Sequence, residues 1–183
     1  MNNTEYIAID GNILTYYTEV SCPGYNPDTD TDKIKPERIA SLQIPLYSKW
    51  YAILPTVHDE YKRIRETWKL EQHVLAEQVF IEYTQSTFDE KIIKERAEYF
   101  NKFHVGKNNY NDCKIAAEAE YLRDTTILLS TDKKFINKIS NITNGLLIIK
   151  PTDFVKRFNL KIFAINISPA ESNPLFHETW WRF

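Results

Sequence analysis

The sequence predicts an α/β fold in which a parallel β-sheet lies between two layers of helices. Short apolar runs, typical of strands buried on both faces, alternate along the chain with longer segments of helical periodicity. Each run ends at a turn signal and a helical segment follows, which is the arrangement of β-α units with parallel strands. The 183 residues suit one domain of this architecture and leave little room for a second.

The first part of the chain contains one predicted strand and two predicted helices. Residues 6–9 form an apolar run that stops at an Asp-Gly turn, and a helical segment begins at Ile13. Residues 22–36 combine proline, glycine and alternating aspartates, so we expect a loop there. A helix is then predicted from Pro36 to Tyr47, because proline suits the first turn of a helix.

The second apolar run, residues 50–54, predicts a strand that ends before Pro55. The next helix is expected to have Thr56 as its N-cap, with Asp59 three residues later at the spacing of a capping box. A helix should therefore follow the second strand directly.

The stretch from Tyr61 to Phe103 contains no glycine, no proline and no strand signal, and its apolar residues follow three-and-four spacing. We predict two helices here, divided near residues 85–89. Ser86 or Thr87 is the expected N-cap of the second helix.

The last part of the chain alternates between strands and helices. The predicted elements are a turn at 106–111, a helix at 111–122, a strand at 126–129, a helix at 133–139, a strand at 146–149 and a helix at 151–158. Two more parallel strands are thus expected, each followed by a helix.

Composition and charge exclude several classes of protein. Hydrophobic residues make up 43% of the chain and charged residues 26%, which is ordinary for a globular protein. The formal net charge of −2 lacks the basic excess of a protein that coats nucleic acid, so nucleic-acid contact would need a local basic patch. Cys22 and Cys113 stand far apart and outside metal-binding spacing, which favours a reducing cytoplasm.

The sequence also lacks the signals of a membrane or secreted protein. No apolar run approaches the roughly 20 residues that span a bilayer. Glu5 stands where a signal peptide would carry positive charge. We therefore expect a soluble cytoplasmic protein without membrane contact.

Acidic residues stand at or near the predicted carboxyl ends of three strands. Asp10 follows the first strand, Glu60 lies in the first turns of the helix after the second, and Asp132 follows the strand at 126–129. Asp112 lies in the first turn of another helix, where the helix dipole favours an anion. Ligands of open parallel sheets bind beyond the carboxyl ends of the strands, so all four carboxylates can face one crevice.

Four crowded carboxylates repel one another, and their pKa values rise unless cations neutralise them. Oxygen ligands that leave water in the coordination shell suit Mg²⁺ or Mn²⁺. The pattern therefore favours a divalent metal site at Asp10, Glu60, Asp112 and Asp132.

Four segments carry a resemblance to a known family. They are residues 10–14, 55–60, 111–117 and 128–135, which read DGNIL, PTVHDE, NDCKIAA and LLSTDKKF. In this order they resemble the four motifs of the PIN domain. The resemblance implies a Rossmann-like three-layer PIN fold over residues 1–160, with an insertion at about 18–49. Residues 161–183 would then be a C-terminal extension, packed on the domain or at an interface.

The resemblance also implies an activity, a cofactor and partners. It implies an endoribonuclease that hydrolyses RNA with Mg²⁺ or Mn²⁺ held by Asp10, Glu60, Asp112 and Asp132. Ser130 stands where the family usually has a Thr or Ser near the metal-bound water. If the chain is a toxin of a toxin–antitoxin pair, an antitoxin protein should cover the crevice. PIN-like domains also often pair, which would give a homodimer.

Each acid also has a purely structural interpretation. Asp10 can cap a turn, Asp112 can complement a helix dipole and Asp132 can be a helix N-cap. The joint pattern favours the metal site over these separate roles. Asp59 competes with Glu60, and we prefer Glu60 because its side chain is longer and Asp59 has the capping position to fill.

Other polar residues are interpreted as structural or exposed. Glu118 and Glu120 are expected on solvated helix faces. The histidines lack ligand spacing and are expected to be structural or exposed; they are His58, His73, His104 and His177. Lysines beside the site are the best candidates for phosphate contacts, namely Lys107, Lys133 and Lys134, although an ordinary exposed lysine is the favoured interpretation of any one of them.

The alternative function is a catalytically inactive PIN-like module that binds protein or RNA. Such modules tend to lose members of the acidic set. Here all four positions are acidic, which favours the enzyme. A phosphatase-like enzyme with an Asp nucleophile is disfavoured, because Asn12 stands where such enzymes need a second Asp.

Overall fold

Within the part of the chain that the structure describes, the sheet has five strands, all parallel, in the order β3-β2-β1-β4-β5. The structure is a computed structural model that describes residues 6–20, 33–47, 51–78, 80–106 and 109–161. The strands are β1 Tyr6–Ile9, β2 Tyr51–Ile53, β3 Ile81–Glu82, β4 Thr125–Leu129 and β5 Leu147–Ile149. The predicted parallel sheet is therefore confirmed.

Eight α-helices flank this sheet within the described ranges, which confirms the predicted three-layer α/β class. They are α1 Gly11–Val20, α2 Ile34–Gln43, α3 Pro55–Tyr61, α4 Thr67–Glu77, α5 Glu90–Asn101, α6 Tyr110–Tyr121, α7 Lys133–Ile139 and α8 Pro151–Arg157. Short 3-10 turns follow α2 and precede α5, at Ile44–Tyr47 and Gln85–Thr87.

The central strands are buried on both faces, which explains why their sequences are continuous apolar runs. Ile7 and Ile9 of β1 and Leu128 of β4 are each at most 1% exposed. β1 pairs with β2 on one side and with β4 on the other. The residues that follow β1 and β4 consequently lie side by side at one edge of the sheet.

Part of the predicted insertion at about 18–49 is an integral helix of the domain. α2 packs against α1 and α8. The carboxylate of Glu37 accepts hydrogen bonds from Thr152 at the start of α8, at 2.9 Å from the hydroxyl and 3.1 Å from the backbone N–H. The predicted helix Pro36–Tyr47 is observed as α2 and the 3-10 turn after it, beginning two residues earlier.

The expectation of helix throughout Tyr61–Phe103 was wrong at β3. Ile81 and Glu82 pair in parallel with β2 at the edge of the sheet. Both side chains are exposed, so this two-residue strand has no apolar run to indicate it.

The expected caps of two helices were also wrong. α3 begins at Pro55 with Leu54 as its N-cap, because proline needs no amide partner at the first helical position. Asp89 caps α5, in place of Ser86 or Thr87, and its carboxylate accepts from the backbone N–H groups of Lys91 and Ile92.

Some predictions fall on residues outside the described ranges. They concern residues 22–32 of the loop, Lys107, His177 and the extension from residue 162 onward. The division of the chain near residue 160 therefore stays a prediction. Among the described residues, no helix combines the length and the apolar character needed to cross a membrane.

Candidate functional site

The candidate site lies at the carboxyl edge of the sheet, where the central strands end. Asp10 directly follows β1, and its backbone N–H donates to the carbonyl of Leu129 in β4 at 3.1 Å. The chain enters α3 directly after β2, and α6 packs against α3. Three predicted ligands, Asp10, Glu60 and Asp112, line one cavity of about 290 Å³, which we call the acidic cavity.

Asp132 does not line the acidic cavity, but its carboxylate lies close to that of Asp112, which does. One carboxylate oxygen each of Asp112 and Asp132 and a ring nitrogen of His104 lie within 4.8 Å of one another. Asp112 also interacts electrostatically with Asp10 and Glu60. All four predicted carboxylates are therefore coupled, with Asp112 at the centre.

Asp10 is the most deeply buried of the four, with 6% of its surface exposed. Desolvation raises the pKa of its carboxyl to about 7, and the charge of Asp112 adds to the rise. Hydrogen bonds from Ser130 and from the backbone N–H of Ile13, the latter 3.0 Å long, offset part of it. Asp10 thus caps the first turn of α1, as its structural interpretation proposed, and also faces the cavity.

Asp112 is held by a histidine that the sequence did not single out. His104 Nε2 lies 3.4 Å from Asp112 Oδ2, and the His104 side chain is only 4% exposed. Burial raises the pKa of Asp112, His104 lowers it by hydrogen bond and charge, and Asp132 raises it. The carboxylate therefore lies between one basic group and three acidic ones.

Glu60, and not Asp59, faces the acidic cavity. The Asn111 amide donates to Glu60 Oε1 at 2.7 Å, and burial is the largest cause of the raised pKa of Glu60. Gly11 permits this approach, since a Cβ atom at that position would lie 3.0 Å from Glu60 Oε2. Asp59 is exposed, and no hydrogen bond ties it to the helix start that was expected to need it.

Asp132 is the N-cap of α7, as its structural interpretation proposed. Its Oδ1 accepts from the backbone N–H groups of Lys134 and Phe135, at 2.7 and 3.1 Å. Its proximity to Asp112 leaves its role as a metal ligand a prediction. Ser130, fully buried, accepts from the Asp132 N–H at 3.1 Å and links this residue to Asp10.

Sequence reasoning missed several polar side chains at the site. They include His73, His104, Asn111 and Tyr61. The buried hydroxyl of Tyr61, a residue that lines the acidic cavity, has no hydrogen-bond partner in the described part of the chain. Only Asn111 had a usable signal, because it precedes Asp112 in one of the four motif segments.

The expectation that Glu118 and Glu120 lie on solvated faces was wrong. Glu118 is 1% exposed and accepts from Thr56, at 2.6 Å from the hydroxyl and 3.1 Å from the backbone N–H. Glu120 forms a bidentate ion pair with Arg96 at 2.8 and 3.0 Å. These acids hold α6 against α3 and α5, behind the site.

The donor set of the site fits a hard divalent cation. Asp10, Glu60 and Asp112 all have raised pKa values, chiefly because they are desolvated. A cation among them would offset both the desolvation and their mutual repulsion. Carboxylate oxygens are the ligands that Mg²⁺ and Mn²⁺ prefer, and the imidazole of His104 would favour Mn²⁺ if it joined them.

Comparisons with known proteins leave the family of the chain open, since no family model, no curated protein and no solved structure matches it. The motif resemblance therefore stays a prediction. A proposal for the function therefore depends on the geometry of the site, together with that resemblance.

Proposed function

We propose that the protein is a cytoplasmic, metal-dependent endoribonuclease that hydrolyses RNA phosphodiester bonds. The observation that carries the proposal is the convergence of Asp10, Glu60 and Asp112 on one cavity, with Asp132 beside them. Desolvated, mutually repelling carboxylates are stable as anions only when a cation lies close. A phosphate group is itself an anion, so binding of the cleaved phosphate in the acidic cavity should depend on metal.

The four carboxylates Asp10, Glu60, Asp112 and Asp132 would hold Mg²⁺ or Mn²⁺. When bound, such an ion lowers the pKa of a coordinated water and neutralises charge on the phosphoryl oxygens.

Neighbouring side chains fix the orientation of these carboxylates. Asn111 holds Glu60 by its 2.7 Å hydrogen bond, and His104 contacts Asp112. Ser130 bridges Asp10 and the backbone of Asp132. Partners of this kind orient metal ligands and preserve their basicity, and their loss typically costs about 10- to 100-fold in metal affinity or activity.

The choice of RNA as substrate comes from the resemblance to PIN domains. The same resemblance supports two further proposals, an antitoxin protein that covers the acidic cavity and a homodimer. Both would place a second polypeptide near the carboxyl edge of the sheet or on an exposed helix.

The decisive test is cleavage of a labelled single-stranded RNA in the presence of Mn²⁺, comparing the wild type with Asp112→Asn. We expect cleavage that requires metal and that falls by about 100-fold or more in the variant, because the central ligand is lost. Asp59→Asn is the matched control, since it removes a neighbouring exposed carboxylate that does not line the cavity.

A contaminating nuclease and a protein without a metal site would each give a different result. Equal cleavage by the wild type and Asp112→Asn would identify a contaminating nuclease and contradict the proposal. Calorimetric Mn²⁺ binding to both proteins shows separately whether the site holds metal.

The alternative is a catalytically inactive PIN-like module. Large apolar side chains that remain exposed on and near the outer helices favour it, for example Leu75 at 54% and Val105 at 77%. Such side chains are common at contacts with partners. Mn²⁺ binding that is lost in Asp112→Asn, without cleavage of single-stranded or structured RNA, would favour this alternative.

A further inference from the structure

A second cavity adjoins the acidic one between α1 and the start of α4. Its volume is about 450 Å³, and Thr15, Ile64 and His73 line both cavities. The two cavities therefore adjoin along a shared wall and together make a depression that reaches from the carboxylates toward α4. We call this second part the basic cavity.

The cationic side chains of the basic cavity come from the turn between α3 and α4. Arg63, Arg65 and Lys69 line it. Lys69 forms an ion pair with Glu66 at 2.7 Å. The two arginines are exposed. Arg63 interacts electrostatically with Glu60 of the acidic cavity, and so places positive charge at the junction of the two cavities. In a chain of net charge −2, this is a local basic patch directly beside an acidic site.

Trp68 supplies a planar apolar surface at the same place. It lines the basic cavity, is 50% exposed, and has the Lys69 ammonium 5.3 Å from its ring centroid. About half of the surface of this residue is therefore accessible to a ligand, and a ligand that covered the ring would bury apolar surface. An unpaired base can stack on such a ring, whereas a base within a duplex cannot.

We propose that the basic cavity binds the single-stranded nucleotides that flank the cleaved phosphate. Arg63 and Arg65 contact backbone phosphates, and Trp68 stacks on a base. This inference rests on the proposed nuclease function, because it extends the substrate from the acidic cavity along the shared residues into the basic one. A mixed cavity with two guanidinium groups and an exposed aromatic ring is the combination that sequence-tolerant single-strand sites use.

The experiment measures binding apart from cleavage. The full chain carrying Asp112→Asn is titrated against a fluorescein-labelled oligouridylate of roughly eight nucleotides, and anisotropy is recorded over a range of salt concentrations. Arg63→Gln, Arg65→Gln and Trp68→Ala are added singly to this background. All three positions are exposed, and melting temperatures establish that the variants fold.

We expect different signatures for charge and for stacking. Each arginine substitution should reduce the slope of log affinity against log salt by about 0.7, the value for one phosphate contact on a single strand. Trp68→Ala should weaken binding about tenfold or more with the slope unchanged.

Two matched controls separate the cavity from general surface effects. Arg123→Gln removes an exposed arginine from the turn before β4, at the opposite edge of the sheet. Leu75→Ala removes an exposed apolar side chain from α4 that does not line the basic cavity. Both should bind the oligonucleotide as their parent does.

An oligodeoxythymidylate of the same length is the second probe. The same dependence on Arg65 and Trp68 with DNA would also support the proposal, because both polymers offer phosphates and unpaired bases. Salt slopes and affinities that do not change in any cavity variant would overturn it. Loss of self-association in Trp68→Ala, with oligonucleotide binding intact, would overturn it too and assign the ring to a protein contact.

Failure of this inference is distinguishable from failure of the proposed function. Suppose that the wild type cleaves RNA, that the cavity substitutions leave binding unchanged in the Asp112→Asn background, and that the same substitutions leave cleavage unchanged in an otherwise wild-type chain. This result would retain the nuclease and exclude the basic cavity. Binding that depends on Arg65 and Trp68, in a protein that cleaves nothing, would retain the cavity and exclude the nuclease.

Discussion

Burial of one carboxyl group dominates the residue-level energetics of the site. Asp10 is 6% exposed, and its pKa rises from 3.8 to about 7 because the charged form loses water. The folded protein therefore keeps this proton to a higher pH than the unfolded chain does. Between those two values the folded state binds more protons, so its free energy of unfolding decreases as the pH rises.

Asp10→Asn should consequently stabilise the metal-free protein at pH 8. The asparagine retains an acceptor for the Ile13 N–H and removes the buried charge, which gives a gain of up to about 4 kcal/mol. The gain should vanish near pH 4 or below, where Asp10 is protonated in the wild type. Urea unfolding in a chelator at several pH values measures this difference.

Asp59→Asn is the control for this prediction, because it neutralises an exposed carboxylate in α3 that does not line the acidic cavity. It should leave the pH dependence nearly unchanged. A wild type whose stability is flat between pH 4 and pH 8 in chelator would contradict the role assigned to Asp10.

At the same scale, the acids of the site could be predicted and their neighbours could not. Asp10 and Asp132 follow apolar runs, so strand order alone places them at one edge. His104 reaches Asp112 from the turn after α5, and that approach depends on how α5 packs against α6. Tertiary packing leaves no periodic signal in the sequence. For this reason, the sequence could not show that His104 differs from the other histidines in contacting Asp112.

At the scale of elements, the contact between Thr56 and Glu118 positions two of the proposed ligands. Thr56 in α3 donates to Glu118 in α6 through both its hydroxyl and its backbone N–H. Glu60 lies one turn further along α3, and Asp112 lies in the first turn of α6. The contact therefore fixes the spacing between two helices that each present a carboxylate to the acidic cavity.

Thr56→Val should destabilise the protein and also weaken its affinity for Mn²⁺. It leaves the buried Glu118 carboxylate with one hydrogen bond fewer, at a cost of about 1.5 to 3 kcal/mol. It also loosens α3 against α6 and so misplaces Glu60 relative to Asp112. Urea unfolding and calorimetric Mn²⁺ titration measure the two effects separately.

Thr152→Val offers a matched control with the same chemistry elsewhere. The Thr152 hydroxyl donates to the buried Glu37 at 2.9 Å, between α8 and α2. Its loss should destabilise the protein to a similar degree and leave Mn²⁺ affinity unchanged. An equal loss of metal affinity in both variants would show that Thr56 acts only through global stability.

The same scale shows which elements the sequence could predict. β1, β2, β4 and β5 are apolar because helices cover them, and each was predicted within one residue. β3 has two exposed residues at the edge of the sheet and owes its strand conformation to pairing with β2. The start of α3 was misassigned because Thr56 bonds to Glu118, a residue 62 positions away, and not to its own helix.

At the scale of the whole molecule, the small net charge hides two neighbouring regions of opposite charge. The chain has a formal charge of −2, yet the acidic cavity and two exposed arginines of the basic cavity lie side by side. Metal in the acidic cavity would turn the depression from a mixed surface into one that attracts polyanions along its length. Metal binding, folding and substrate binding should therefore be linked.

Metal should stabilise the whole fold, and more strongly as the pH rises. A ligand that binds only the folded state adds about 2.7 kcal/mol at 100 times its Kd, which for a chain of this size raises the Tm by roughly 5 to 10 °C. Protons compete with metal for Asp10, whose pKa is about 7, so the Mn²⁺-induced rise should be larger at pH 8 than at pH 6. Differential scanning calorimetry of the wild type, Asp112→Asn and Asp59→Asn measures it. Only Asp112→Asn should lose the stabilisation; an undiminished rise in that variant would mean that Mn²⁺ binds elsewhere on the protein.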